Sequence, residues 1–432
     1  MTTTGRSTTG RRRPRRRALV TAALTAVAGL GVYAGCGALT GAHGASRAPI
    51  TVMTWAPEGT RATNMGGMPA MAGAYARWVN AHGGIHGRPL RVLTCNEHND
   101  SVAAARCAQQ AVQEEAVAVV GSYSQHGRSS LSPLEASGTP YIGGYGVSGE
   151  EFASPVSYPV NGGQPALLAG LGHQLAGTCG HVALVRPDTI AGDRMPALLD
   201  AGLAAGGRPA ATDIRAPEAA TDYSRHSTAA LAALATAGPG RDGCVAAALG
   251  ERTRTFFDSF RRMNTGGVRI GAVLGSVTQS LVDSTGGAAS PLEGAYVTGW
   301  YPAADDPRWA PLRKVVQEHA FGDNRVDPAD PGVQTTWLAY TVLRSVLESL
   351  DPDDISAQSL RHALDGGHRV DTGGLTPPLR WRRQDLLAAR DHPRIVNANV
   401  THQVVRGGRV VALRDGSVNV ARTLEARRDG AP

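Results

Sequence analysis

The sequence predicts an α/β protein built as two doubly wound parallel-sheet lobes, and three observations predict it. Residues 75–121 spell a complete helix–turn–strand–helix–strand unit. Strand-like and helix-like segments then alternate without a break over residues 165–274. The last strand-like segment of the first unit, 117–121, is a continuous apolar run ending in glycine, which is how strands covered on both faces read.

Taken in order, a first strand ends at Trp55-Ala56-Pro57-Glu58. Met68, Met71, Tyr75, Trp78 and Val79 recur at helical spacing, and their helix stops at His82-Gly83-Gly84, where glycine can take the left-handed conformation. Gly87-Arg88-Pro89 turns the chain into a strand over 90–95, Asp100 or Ser101 caps a helix through 114, and 117–121 is an apolar run. Helices over 165–175, 195–205, 224–236 and 252–263 interleave with strands over 181–185, 210–214, 245–249 and 270–274. Gly238-Pro239-Gly240 and Gly286-Gly287 punctuate this half as loops. Helices are expected over 307–321, 333–350 and 356–364, the second with Val333, Trp337, Tyr340, Leu343, Val346 and Leu347 on one stripe. Short strands over 379–381, 395–405 and 409–413 follow, and the pattern alone assigns this last part to neither lobe.

Arg11 to Arg13 and Arg15 to Arg17 precede an uncharged stretch over 18–42, the layout of an export signal, read here as residues 1–36 with a linker at 37–48. Arg16-Arg17-Ala18-Leu19-Val20 also fits a twin-arginine signal. An uncleaved membrane anchor is the alternative, since about 20 apolar residues span a bilayer, but the stretch is rich in Ala, Gly and Thr. Seven arginines in this leader account for the whole formal charge of +7. The exported part is therefore near neutral, which removes the electrostatic case for nucleic acid.

Of the 5 cysteines, Cys36 lies in the leader, where Tyr33-Ala34-Gly35-Cys36 resembles a lipobox with Tyr33 in place of the usual leucine, a resemblance that implies lipid attachment at Cys36. The other four suit two disulfides in an oxidising compartment. Cys95 ends a strand and Cys107 faces it from the next helix, while Cys179 and Cys244 sit before strands expected to lie side by side. Four buried free thiols are the alternative.

The run Val79-Asn80-Ala81-His82-Gly83-Gly84-Ile85-His86-Gly87-Arg88-Pro89-Leu90 is followed by the acidic turn 96–100 and the apolar run 117–121. Ser122-Tyr123-Ser124 and Gly138-Thr139-Pro140-Tyr141-Ile142-Gly143 come next. In order and spacing these resemble the leucine/isoleucine/valine-type periplasmic binding proteins, the substrate-binding subunits of ABC importers, specifically over about residues 50–150 and in pattern to about 415. The resemblance implies the type I fold, with a multi-crossing hinge. Residues 49–162 and 301–370 would then form one lobe, 163–300 and 371–415 the other, and 416–432 a tail. It also implies a small polar ligand taken between closing lobes, an ABC permease as membrane partner, and a monomer.

In open α/β sheets, ligands bind where strands end and loops lead into helix N-termini. That rule selects Trp55, Glu58, Ser122, Tyr123, Ser124, Gly144, Tyr145, Gly146 and Ser148 in the first lobe. It selects Asp188, Glu251 and Ser276 in the second, with Trp300 as a further wall. By resemblance, Ser122 and Ser124, with main-chain N–H groups near Gly144–Gly146, match the region that holds a ligand carboxylate. The alternative is that these serines cap the following helix. The threonine that helps hold an ammonium in the family aligns with Val147, and no acid stands at 275–277. Glu58, Asp188 or Glu251 would have to substitute, and a non-amino-acid ligand with a carboxylate, amide or hydroxyl fits equally. Trp55, Tyr123, Tyr145 and Trp300 could stack on the ligand.

No HExxH, GxSxG or GxGxxG is read in the chain, and the single lysine, Lys314, stands in no phosphate-binding loop. No cofactor is expected. His82, His86 and His98 read as turn residues rather than metal ligands. The sequence thus points to an exported solute-binding protein on the outer face of the membrane. A ligand-sensing receptor subunit of the same fold is its first rival, and a secreted α/β enzyme the second.

Overall fold

The computed structural model describes residues 48–426 apart from 61–62, 190, 219, 237–242, 264, 266 and 274. The expected export signal, Cys36 and nearly all of the linker lie outside the described residues, as does the end of the expected tail.

The first sheet is parallel throughout, in the order β2 (Leu90–Asn96), β1 (Ile50–Ala56), β3 (Ala118–Val120), β4 (Tyr141–Ile142), β5 (Ser157–Tyr158). Three helices serve it: α1 (Gly67–Ala81), α2 (Ser101–Gln113) and α3 (Gly127–Ser137). Asp100, not Ser101, caps α2, its carboxylate accepting from the N–H groups of Val102 and Ala103. Gly138, at φ 74°, ends α3 in the left-handed conformation.

The chain then crosses to the second lobe through α4 (Gly163–Ala176). There β6 (His181–Pro187), α5 (Met195–Ala205), β7 (Thr212–Ala216), α6 (Ser224–Thr236) and β8 (Gly243–Ala247) lead to α7 (Thr253–Phe260), β9 (Arg269–Val273), α8 (Gln279–Ser284) and β10 (Tyr296–Gly299). It returns through α9 (Ala310–His319), α10 (Pro331–Ser349) and α11 (Ala357–Gly366), of which α9 and α10 pack on α1 and α10 also on β3 and β4. A third crossing delivers β11 (Asn399–Arg406) and β12 (Arg409–Ala412) to the second sheet, ordered β12-β11-β10-β9-β8-β6-β7. β11 runs antiparallel to β10. The short β13 (Val418–Asn419) pairs with β11, and α12 (Ala421–Glu425) packs on α4 and α5, so much of the expected tail is structured.

The arrangement is the type I periplasmic-binding-protein fold. Several expected elements differ in detail. Residues 379–381 form only an isolated bridge, Val370 to Leu379, rather than a strand. The expected strand from 395 begins at Asn399, because the Asn397 side chain is turned to the Val160 carbonyl and to the N–H of Asn399. Helix 307–321 opens as a 3-10 turn, Pro307–Trp309. β10 has no counterpart in the sequence reading.

Both expected disulfides are formed. Cys95 of β2 joins Cys107 of α2, and Cys179 joins Cys244, with Cα separations of 5.7 and 5.8 Å. β8 starts two residues before its expected position, so Cys244 lies within it. Among the described residues no helix is long and apolar enough to cross a membrane.

Candidate functional site

A cavity of about 770 Å3 opens between the lobes. Its first-lobe wall is made by the loops after β3 and β4, and its second-lobe wall by the loops after β6, β8 and β9 with Trp300 after β10. These are the carboxyl ends of the strands, the place the α/β rule selects. The start of α4 and residues Arg390 to His392, near the third crossing, complete it. A second depression, of about 710 Å3, is confined to the second lobe at the amino ends of β9 and β10.

Three aromatic rings form the cavity's inner wall. Tyr123 and Tyr145 have ring centroids 5.3 Å apart, and Tyr145 meets Trp300 edge to face at 5.0 Å. Trp300 is held by its indole N–H, which donates to the Gly163 carbonyl at 2.9 Å. Burial pushes the Tyr123 phenol up to about 12 and the Tyr145 phenol well above its ordinary value, so both stay neutral and keep a proton to donate. The Gln125 amide donates to the Tyr123 hydroxyl at 3.1 Å.

Of the residues selected from the sequence, Tyr123, Tyr145, Gly146, Ser148, Ser276 and Trp300 line the cavity. The structure places the others elsewhere. Trp55 is fully buried in the first-lobe core behind the cleft, packed on Tyr141 at 5.9 Å. The Ser122 hydroxyl accepts from the Trp55 N–H at 3.1 Å, and Ser124 donates to Glu97 at 3.1 Å while accepting from the His126 N–H at 3.0 Å. Both serines spend their hydroxyl proton inside the protein, Ser122 on the Val120 carbonyl at 3.4 Å and Ser124 on Glu97, and neither lines the cavity. Gly144 packs against the Tyr141 ring, where a Cβ would come within 2.7 Å of the hydroxyl. Glu58 pairs with Arg325 at 3.3 Å, and the exposed Asp188 lies 3.9 Å from Arg215. The Glu251 side chain lies outside the described residues.

The loop after β4 was expected to offer main-chain N–H groups to a ligand carboxylate. Instead it holds the protein's own. The Glu151 carboxylate accepts from the N–H groups of Gly146, Val147 and Ser148, each at 3.0 Å, and from the Ser148 hydroxyl at 3.2 Å. Burial raises this carboxyl above its ordinary value while those bonds draw it back down. The loop reads Gly144-Tyr145-Gly146-Val147-Ser148-Gly149, a Gly-x-Gly-x-x-Gly pattern overlooked in the sequence. It opens only the three-residue turn Glu150–Phe152, so it is not a dinucleotide fingerprint, but the glycine spacing does mark a main-chain anion nest.

Sequence reasoning also missed the charged rim. Arg128, Arg194 and Arg390 line the cavity, are exposed, and form no ion pair among the described residues. Two of them carried a signal. Arg128 is the second residue of α3 and Arg194 the cap of α5, and a cation at the positive end of a helix is unfavourable unless an anion comes to it. Arg390 carried none. Glu150, Glu218 and Asp391 balance the rim, and His126 adds a ring whose Nε2 is buried without a partner among the described residues.

Residues 53–408 match the family model for periplasmic binding proteins. Comparison with curated proteins gives no match. The fold superposes on a Thermus thermophilus branched-chain amino acid ABC transporter structure with bound valine at 14% identity and TM-score 0.69, covering 89% of this chain and 100% of that one. A leucine binding protein from Thermotoga maritima gives 14% identity, TM-score 0.65, and coverage of 86% and 99%. A solute binding protein of an ABC transporter from Rhodopseudomonas palustris, in complex with 3,4-dihydroxybenzoic acid, gives 16%, 0.67, and 86% and 97%. Such identities speak for the fold alone. The family match over most of the chain, joined to two doubly wound lobes with an aromatic-walled cavity between them, places this protein in the periplasmic binding protein family.

Proposed function

We propose that the protein is the extracytoplasmic solute-binding subunit of an ABC importer, taking an amino acid or a related small polar solute between its lobes and closing over it. The observation that carries this is the cavity of about 770 Å3 walled by both lobes, since a solute favours closure only through contacts made to both at once. An apolar body would rest on Tyr123, Tyr145 and Trp300, with Ser276 as a hydroxyl partner from one lobe and Ser148, whose proton goes to Glu151, as an acceptor from the other. An acid group would go to the Arg128, Arg194 and Arg390 rim. Valine and 3,4-dihydroxybenzoic acid, the solutes bound in two structural neighbours, bracket this chemistry. The closed form is what a membrane permease would recognise, with the monomer tethered through Cys36 after export.

A thermal-shift screen of the leaderless protein against valine, leucine, benzoate, 3,4-dihydroxybenzoate, amides and short peptides tests the reading. A solute at a hundred times its dissociation constant adds about 2.7 kcal/mol of stability. No shift with any of them would overturn it.

A further inference from the structure

We propose that Glu151 is a specificity-determining residue: its carboxylate takes the place of a solute anion on the N–H groups of residues 146–148, so that this loop cannot hold the solute's acid group. The consequence for solutes rests on the solute-binding reading above, but the occupancy of the nest does not.

Gly146 has φ +90°, where a side chain would be strained, and this turns three successive N–H groups toward one point. Such a concave run of N–H dipoles binds anions. Glu151 fills it from the core side. Its residue is only 3% exposed, Oε1 accepting from Val147 and Ser148 and Oε2 from Gly146, with the Tyr141 hydroxyl at 3.5 Å from Oε2. No arginine, lysine or histidine forms an ion pair with it among the described residues, so the nest itself is what offsets the buried charge. The three N–H groups can only donate, and the carboxylate, with two acceptor oxygens and no proton of its own, matches them best. A second carboxylate brought to the same N–H groups from the cleft would meet both an occupied donor set and a like charge. Recognition of an acidic solute therefore passes from main chain to the arginines of the rim.

The test is chemical rescue of Glu151→Ala with sodium formate, read by thermal melting in the absence of any solute, with sodium chloride at equal ionic strength as control. Vacating the nest should lower the melting temperature, and formate should restore it by about 2 °C or more at ten times its dissociation constant, leaving the unaltered protein unmoved. A folded Glu151→Ala protein indifferent to formate, or one that melts with the parent, would overturn the proposal. Should Glu151→Ala fail to fold, Glu151→Gln decides: its amide N–H faces other donors, so it must melt below the parent at neutral pH, and equal melting would overturn the proposal. Because no solute is present, this result stands or falls separately from the solute screen.

Discussion

The hydroxyl oxygen of Tyr145, on the first lobe, stands 2.6 Å from where a Cβ on Gly275, on the second, would lie. Gly275 also has φ +91°, a backbone state that costs a side-chain-bearing residue about 1–2 kcal/mol. Glycine at 275 is thus what lets the two walls of the cleft come this close.

Gly275→Ala should therefore hold the lobes apart. Solute affinity is expected to fall about tenfold or more, equivalent to about 1.4 kcal/mol. Calorimetry with a solute from the screen measures it, and X-ray scattering should find the liganded variant less compact than the parent. Unchanged affinity and compaction would refute the role.

The two disulfides should differ in weight. Cys179 and Cys244 close a loop with a sequence separation of 65, and Cys95 and Cys107 one of 12. Chain entropy gives about 4 kcal/mol for the longer and about 3 kcal/mol for the shorter. Denaturant unfolding of the Cys179→Ser/Cys244→Ser and Cys95→Ser/Cys107→Ser proteins should rank them in that order, and the reverse ranking would count against the entropic account.

Acid sensitivity should trace to His402 in β11. Burial, helped by Arg414 and His173, pushes its pKa from 6.5 down to about 4, against a main-chain bond at Gly170. Its Nε2 is buried without a partner among the described residues. Because the folded value is depressed, the neutral ring's contribution is complete above pH 6.5 and is lost as pH falls toward 4. Glu97 and Glu151, whose carboxyls are raised mainly by burial, act in the opposite sense, but equally in parent and variant. Melting of the parent should thus fall more steeply between pH 6.5 and pH 4 than that of His402→Gln, and parallel profiles would exclude His402.

Much of the fold was legible because it rests on local chemistry. The Asp100 cap, the Gly83-Gly84 stop and the apolar stripe of α10 each act within a few residues. β10 was not legible, since four residues between Gly294 and Trp300 are too short a run to register. The loops of the site were legible from strand ends, but the facing of their side chains was not. Ser122 and Ser124 look like ligand donors until the structure brings Trp55 and Glu97 to them across 67 and 27 residues. Arg390 reaches the cleft only because the chain crosses between lobes a third time, which no nearby residue announces.

Trp300 joins two roles, and substitution can separate them. Its ring walls the cavity beside Tyr145, and its indole N–H ties β10 to the first residue of α4, Gly163. Trp300→Phe keeps an aromatic wall but leaves the buried Gly163 carbonyl without that donor, at a cost of about 1–3 kcal/mol. Trp300→Ala removes the wall as well, and a change of this size costs about 3–5 kcal/mol in a packed site. Stability should therefore fall in two steps, while solute affinity drops sharply only in the alanine protein, because stacking needs a ring and not its N–H. Selectively excited tryptophan emission adds a direct check: of the 6 tryptophans, Trp300 is the one lining this cavity, so Trp300→Phe should abolish the solute-dependent part of that emission. Persistence of that signal in Trp300→Phe would place the solute elsewhere in the molecule.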